Sequence, residues 1–177
     1  MNLTACRKAG TSAALLLASA LAATAQTQTV HYPSASRPAL TIQAPQGWNV
    51  VFDTSLPDQF MEIIPHKTAT TVLLRTVPTP TQDLNASVNA SAKYIESLYS
   101  DIAMGVASNQ TLGELKGLSA DGTARTKDGS IPLKITIGAY RLTQAQRVLE
   151  VIGVADTTVS NAEEKVAAML NSIAEVK

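Results

Sequence analysis

Residues 147–155 constrain the fold most, because they are apolar on both faces of an extended strand. Two apolar sets alternate along this segment, one of Val148, Ile152 and Val154 and the other of Leu149, Val151 and Ala155. A strand that is apolar on both faces lies at the centre of a sheet that is covered on both sides. We therefore expect a sheet with a packed layer on each of its faces.

Seven other short segments have strand character, with alternating apolar residues or β-branched and aromatic residues between turn signals. They are residues 39–44, 48–52, 59–64 and 70–77 in the first half of the chain, and residues 111–118, 119–125 and 131–140 in the second. Asp128 and Gly129 indicate a hairpin turn with a positive φ at both central positions. Strands that follow one another through short turns predict a mainly antiparallel sheet.

The apolar period changes to that of a helix in two places. Over residues 80–104 apolar residues recur three or four positions apart, and residues 79–82 fit a capping box with proline at the first helical position. Near the C-terminus, residues 160–163 fit a second capping box, and one apolar stripe runs from Val166 to Val176. The elements together predict an α+β fold, in which a long helix and a C-terminal helix pack on the sheet.

The first 25 residues have the three parts of a secretory signal peptide. Basic residues are followed by an apolar stretch and then by Ala23-Thr24-Ala25, so we expect cleavage between Ala25 and Gln26. The apolar stretch is shorter than the ~20 residues that span a bilayer, and no second run of that length follows. The sequence therefore predicts export, to the periplasm or outside the cell, and no membrane span in the mature chain.

The mature chain is expected to be a leader followed by one domain. Residues 26–38 are rich in Thr, Ser, Gln and Pro and have no apolar period, which indicates a flexible leader. Residues 39–177 contain no linker and no internal repeat, which favours a single domain. Cleavage also removes Cys6, so the stability of the mature domain must come from its core.

The charge balance argues against a nucleic-acid partner. Lys and Arg number 14 and Asp and Glu also number 14, which leaves no basic excess to neutralise phosphates. A modest positive patch in the hairpin region is one interpretation of four cations, but a solvated outer face of the sheet is the favoured one. The four are Lys116, Arg125, Lys127 and Lys134.

No arrangement of residues predicts catalysis, a metal or a cofactor. A Ser-His-Asp triad would need His66 with Asp53 or Asp58 and an unplaced serine, and no spacing supports that geometry. A metal site would start from Asp58, Glu62 and His66, but on a strand Glu62 and His66 would lie about 13 Å apart, too far to share an ion. The adjacent Glu163 and Glu164 are explained by the first turn of a helix, where they complement its dipole. We therefore expect a protein that is not an enzyme.

Short motifs and the order of the elements resemble the PsbP-like/DcrB-like group of exported α/β proteins. Pro45-Gln46-Gly47-Trp48 resembles the turn that follows the first strand of that group, and Ser172-Ile173 resembles the end of its last helix. Gly138-Ala139-Tyr140-Arg141, followed by Leu142-Thr143, is a further similarity. The resemblance implies an α-β-α sandwich, no common catalytic residues, and an accessory, assembly or binding role.

Two functions stay open. The first is an exported protein that binds another envelope protein or assists envelope assembly, which predicts an exposed patch or cleft between a helix and the sheet. The second is a carrier of a small apolar ligand or lipid, in a cavity beneath the long helix lined by Ile95, Ile102 and Ile137. Trp48 is expected to be a core residue whose ring covers one end of the sheet beneath a helix, with the floor of a ligand cleft as the alternative.

Overall fold

The computed structural model describes residues 26–52, 60–78 and 83–177, so the predicted signal peptide, which ends at Ala25, lies outside the described residues. In chain order the elements are β1 (Thr27–Tyr32), β2 (Leu40–Pro45), β3 (Asn49–Phe52), β4 (Met61–Ile64), β5 (Thr71–Pro78), α1 (Leu84–Leu98), β6 (Tyr99–Met104), β7 (Ser108–Leu112), β8 (Leu115–Thr126), β9 (Pro132–Leu142), β10 (Arg147–Asp156), α2 (Ala162–Asn171) and β11 (Ala174–Glu175). Within the described ranges, no helix is long and apolar enough to cross a bilayer.

The strands form two antiparallel sheets. The large sheet has the order β3-β4-β5-β10-β9-β8-β6, with β7 paired to β8, and the small sheet has the order β1-β2-β11. Strand β10 lies between β5 and β9 and is buried on both faces, as its two apolar sets predict. The predicted α+β class and mainly antiparallel sheet are confirmed. The strands expected at residues 39–44, 48–52, 70–77 and 131–140 are present within two residues of those bounds.

Helix α1 covers one face of the large sheet. Val88 and Ile95 of the helix share a core cluster with the apolar faces of β9 and β10 that point the same way. Asp83 caps the helix, because its carboxylate accepts a hydrogen bond from the backbone N–H of Asn85 at 3.1 Å. The capping box expected at residues 79–82 lies outside the described residues.

The helix expected over residues 80–104 is too long, because α1 ends at Leu98 and the next six residues form β6. Tyr99 is extended, with φ −124°, and its N–H donates to the carbonyl of Ile95. β6 then pairs with β8, so the sheet takes over the backbone hydrogen bonds. Apolar spacing could not show this change, because Ile102 fits a helical step from Leu98 and also alternates with Met104.

Helix α2 and the small sheet share the other face of the large sheet. Val166 and Leu170 of α2, together with Leu40 and Ile42 of β2, lie in a second core cluster. Gly153 permits a close approach of the helix, because a Cβ at this position of β10 would lie 2.7 Å from Cγ1 of Val166 and 3.1 Å from Cδ1 of Leu170. The three layers are therefore α1, the large sheet, and a layer that contains both α2 and the small sheet, which is an α-β-α order with strands added to the third layer.

Both ends of α2 differ from the prediction. Asn161 takes the N-cap position in the left-handed conformation, with φ 61°, and its side chain makes no capping hydrogen bond, so the capping box at residues 160–163 is wrong. The helix ends at Asn171, and β11 then pairs with β2. Val176 lies beyond the helical stripe, and its N–H donates to the carbonyl of Ala39 at 3.0 Å.

The leader expected at residues 26–38 is wrong over its first half, because β1 pairs with β2 along its whole length. Val30 and Tyr32 are buried in the core cluster beneath α2. The hydroxyl of Tyr32 also accepts a hydrogen bond from the N–H of Thr76 in β5, at 3.1 Å. A pair of inward-facing residues among polar ones is too short a pattern to predict a strand.

The hairpins of the second half have different bounds from those predicted at residues 111–118 and 119–125. β7 ends at Leu112, and a turn with φ 58° at Gly113 leads into β8, which is continuous over 12 residues. The turn expected at Asp128 and Gly129 does join β8 to β9, but of these two residues only Gly129 has a positive φ. The carboxylate of Asp128 instead accepts a hydrogen bond from the backbone N–H of Ser130, at 3.0 Å.

Candidate functional site

A cleft of about 550 Å³ lies between α2 and the sheet, and we call it the α2 cleft. Helix α2 forms one wall, β7 forms the other, and β8, β9 and β10 form the floor. Its lining comprises Gln110, Thr111 and Leu112 from β7, Ser119 and Asp121 from β8, Lys134, Thr136 and Tyr140 from β9, Gly153 and Ala155 from β10, and Glu163, Glu164, Val166, Ala167, Leu170 and Asn171 from α2.

The two-residue period of the strands sends polar side chains into this cleft. On β9, Ile135, Ile137 and Ala139 face α1 and belong to its core cluster. Thr136 and Tyr140 occupy the alternate positions of the strand and therefore face the α2 side, where both line the cleft. The clean alternation that predicted β9 as a strand thus also places the polar floor.

Tyr140 lies flat across two glycines on the floor of the cleft. A Cβ at Gly138 would lie 2.6 Å from Cε2 of the ring, and a Cβ at Gly117, opposite on β8, would lie 2.6 Å from Cδ1. A Cβ at Gly138 would displace the ring, and a Cβ at Gly117 would in addition collide with the backbone carbonyl of Ala139. The two glycines therefore fix the depth of this part of the floor.

Burial raises the pKa of Tyr140, the negative charge of Asp121 acts in the same direction, and a hydrogen bond with Ser119 opposes them. The phenol is therefore neutral at physiological pH and serves as a hydrogen-bonding group. The hydroxyl of Thr136 donates to the carboxylate of Asp121 at 2.5 Å. These contacts order the floor without supplying a nucleophile and a base.

The α2 cleft is acidic overall. Three carboxylates, those of Asp121, Glu163 and Glu164, line it against the single ammonium group of Lys134. Glu163 and Glu164 do lie in the first turn of α2, as predicted from the helix dipole. Their position at the rim of a cleft could not be predicted from the sequence, because it depends on where α2 packs.

A second groove of about 550 Å³ lies on the α1 side of β7, and we call it the cationic groove. Asn109 and Thr111 of β7 line it together with Lys116 and Arg141. The two cations are adjacent across β8 and β9, because they follow directly beyond the paired Gly117 and Tyr140. Strand β7 is thus a ridge between an acidic cleft and a cationic groove.

Of the four cations considered for a positive patch, Lys116 lies apart from the other three, which surround the hairpin of β8 and β9. Lys116 lies at the start of β8 and Arg125 near its end, a separation of about 30 Å at ~3.3 Å per residue. Arg125 donates to the carbonyl of Gly129 at 2.7 Å, and Lys127 contacts the carbonyl of Glu96. Lys134 faces the α2 cleft.

Of the residues considered for a triad or a metal site, the structure describes Glu62 and His66 and places them in different elements. Glu62 accepts a hydrogen bond from the hydroxyl of Thr71 at 3.0 Å, and His66 lies in the turn after β4, so the two do not share a strand. Asp53 and Asp58 lie outside the described residues. Among the residues that are described, no group of three His, Cys, Asp or Glu side chains is placed to hold a metal.

The core beneath α1 gives the carrier alternative no support. Ile95 and Ile137 are 0% and 1% exposed within one core cluster, and Ile102 packs against that cluster from β6. Neither the α2 cleft nor the cationic groove is lined by these three residues. Trp48 is partly buried and packs against the other core cluster.

A buried ion pair on the α1 side was not expected from the sequence. Glu150 interrupts the apolar face of β10 and is 1% exposed, and its carboxylate lies 2.5 Å from Nε of Arg75 on β5. The guanidinium also lies 4.5 Å from the ring centre of Phe60, which stacks on Tyr94 of α1. The signal was present as an acidic residue in a two-faced apolar strand, but its partner depends on the register of β5 and β10.

Comparisons with known proteins show the fold. No family model matches the chain, and the search of curated proteins gives no match. Among solved structures, LpqN of Mycobacterium tuberculosis, described as involved in cell envelope biogenesis, is similar with a TM-score of 0.53 and 12% identity, over 86% of this chain and 91% of that one. The Ran-binding protein Mog1p of Saccharomyces cerevisiae is similar with a TM-score of 0.50 and 13% identity, over 86% of this chain and 96% of that one. Both likenesses support the PsbP-like fold that the motifs suggested.

Proposed function

We propose that the chain is an exported cell-envelope protein that binds a partner protein through the α2 cleft and is not itself an enzyme. The observation that carries this proposal is the chemistry of the cleft. It is concave, and its rim presents Glu163, Glu164 and Lys134, which are exposed and make no ion pair with any residue in the described part of the chain. Charged side chains of both signs around a concave surface favour the binding of a protein surface with complementary charges, because they steer its approach and orient it.

The composition of the cleft supports a binding role over catalysis. Its lining contains no histidine and no cysteine. The hydroxyl of Ser119 is engaged by Tyr140 and the carboxylate of Asp121 accepts a hydrogen bond from Thr136, and the cleft presents no histidine beside either. A hydrolase that uses a serine nucleophile would need such a base.

The two similar structures support the same reading at the level of the fold. LpqN is described as involved in cell envelope biogenesis, and Mog1p is described as a Ran-binding protein. A shared fold does not carry a partner from one protein to another. The cleft and the predicted signal peptide therefore remain the main support for this chain.

Cross-linked capture from the envelope of the native host tests the proposal. A tagged wild-type protein is compared with the double variant Glu163→Gln/Glu164→Gln, which keeps the size of both side chains and removes their charge. Glu96→Gln, on an exposed position of α1, is the matched control. We expect one discrete adduct whose yield falls at least threefold in the double variant and is unchanged in the control. Equal yields from all three proteins, or no adduct, would refute the proposal.

Export is tested by the denatured mass of the protein isolated from that host. A mass that starts at Gln26 is expected, without a lipid adduct. A mass that still includes Ala25 would contradict the predicted cleavage.

A further inference from the structure

We infer that the free edge of β7 binds an extended segment of the partner protein, which adds to the large sheet as a further strand. The segment would direct acidic side chains toward Lys116 and Arg141 and basic side chains toward the carboxylates of the α2 cleft. This inference rests on the proposed function and specifies how the partner is held.

Strand β7 has an edge without a partner strand among the described residues. It pairs with β8 on one side and with no other described strand. Four of its five residues, from Ser108 to Thr111, are exposed. An unpaired strand edge offers a row of backbone donors and acceptors to an extended peptide.

The turn at Gly113 identifies which backbone groups are free. Leu112 and Leu115 flank a two-residue hairpin turn, and such a turn is closed by a hydrogen-bonded pair. Alternation along the ladder then directs the N–H and C=O groups of Asn109 and Thr111 away from β8. The same alternation, continued along β8, points the carbonyl of Asp121 to the side of β8 on which β7 and β6 lie. That carbonyl does accept a hydrogen bond there, from the N–H of Gly105 at 2.8 Å.

The neighbouring edge strand β6 is protected against strand addition, and β7 is not. β6 has an irregularity between Ser100 and Ala103, and within it Asp101 is charged, exposed and left-handed, with φ 50°. Bulges and charges of this kind prevent pairing at sheet edges. The sequence of β7 is Ser-Asn-Gln-Thr-Leu, which contains no charge and no proline.

The grooves on either side of β7 define the chemistry of the segment. An added strand would lie about 4.8 Å beyond β7 and about 9.6 Å from β8, within the combined reach of two long side chains. Its alternate side chains would enter the two grooves in turn. Lys116 and Arg141 make no ion pair in the described part of the chain and would attract acidic residues, whereas Asp121, Glu163 and Glu164 would attract basic ones.

Charge also argues against a second copy of this chain on the same edge. Antiparallel pairing of two β7 strands about an axis normal to the sheet would place acidic cleft beside acidic cleft and cationic groove beside cationic groove. Like charges brought together in this way oppose association. A partner segment with alternating charge meets no such repulsion.

The test uses an eight-residue peptide in which glutamate and lysine alternate, acetylated and amidated at its ends and labelled for fluorescence polarisation. One comparison peptide has the same composition in two blocks of like charge, and another carries N-methyl groups on alternate backbone nitrogens. The alternating peptide should bind the mature wild-type protein at least tenfold more tightly than either. Equal binding of all three, or no binding of the alternating peptide, would overturn the inference.

Thr111→Pro removes one backbone donor from the free edge, and Thr111→Val keeps it at nearly the same size. We expect at least a tenfold loss of affinity in the proline variant and less than a threefold change in the valine variant. Since proline could disturb folding, Lys116→Glu provides a second probe, with Lys93→Glu on the exposed side of α1 as its control. Only Lys116→Glu should weaken binding. Unchanged affinity in Thr111→Pro or in Lys116→Glu, or a dimer of the wild-type protein in sedimentation, would overturn the inference.

The two proposals fail separately. If capture from the envelope depends on Glu163 and Glu164 but the peptide results are negative, the protein binds its partner without strand addition. If no adduct forms in the envelope, the proposed function itself is wrong.

Discussion

Replacing Arg75 by methionine should destabilise the protein strongly, because it leaves the carboxylate of Glu150 buried without its cation. The Glu150 side chain is 1% exposed and that of Arg75 is 22% exposed, and Nε and Oε2 lie 2.5 Å apart. Removing one partner of a buried pair costs about 3–5 kcal/mol. The guanidinium also lies over Phe60, at 4.5 Å, and that contact is lost too. The free energy of unfolding should therefore fall by about 4 kcal/mol.

Urea unfolding followed by circular dichroism measures this change. With a slope of about 2 kcal/mol per molar urea, the midpoint should fall by about 2 M. The double variant Arg75→Met/Glu150→Leu replaces the pair by apolar side chains and should recover most of the loss. Arg125→Met, at an exposed arginine, should cost about 1 kcal/mol or less. If Arg75→Met also costs less than about 1 kcal/mol, or if the double variant is no more stable than the single one, the carboxylate is not buried as described.

Three further predictions concern the elements that frame the two grooves. Gly153→Ala should lower the free energy of unfolding by about 1–3 kcal/mol, because the added Cβ would lie 2.7 Å from Cγ1 of Val166. A thermal transition no lower than that of the wild type would contradict the close packing of α2 on β10. Glu175→Gln should lower the free energy of unfolding by about 1 kcal/mol, because its carboxylate accepts hydrogen bonds from the N–H groups of Thr143, Gln144 and Ala145. Glu114→Gln loses only an exposed ion pair and should change it by no more than about 0.5 kcal/mol. Equal effects of the two substitutions in chemical unfolding would refute this difference. Hydrogen bonds from Thr126 and Ser130 lower the pKa of Asp128 from 3.8 to about 2, so the stability that this carboxylate contributes is present above pH 4 and is lost as the pH falls toward 2. Asp128→Asn should remove that part of the loss of stability in acid. Unfolding curves at pH 5 and 2.5 that change equally in the variant and the wild type would contradict this prediction.

The sequence predicts the parts of the fold that repeat a period over many residues. β9 alternates between apolar and polar residues over most of its 11 positions and β10 is apolar on both faces over most of its 10, so their bounds and their buried faces followed from the pattern. β1 could not be found in this way, because it is placed by its pairing with β2 and contributes only Val30 and Tyr32 to the core. The end of α1 was missed for a related reason, since β6 satisfies its backbone groups through β8, which lies more than ten residues further along the chain.

The candidate site depends almost entirely on tertiary placement. Glu163 and Glu164 were explained locally by the helix dipole, and their position opposite β7 arises only when α2 packs over Gly153. Lys116 and Arg141 become neighbours through the register of β8 and β9. Of the α2 cleft, only the polar floor followed from the sequence, because the alternation of β9 places its polar residues on the face opposite its apolar ones.

Site-specific photo-cross-linking in the native host shows whether the α2 cleft holds a partner protein. A photoreactive residue is placed at Ala167, which is exposed in the wall of the cleft, or at Ala90, which is exposed on α1 and belongs to neither groove. The two positions are matched in residue type and in secondary structure. We expect a discrete protein adduct from position 167 and none from position 90. An adduct from position 90 with none from position 167 would place the partner on the opposite face and overturn the proposed function.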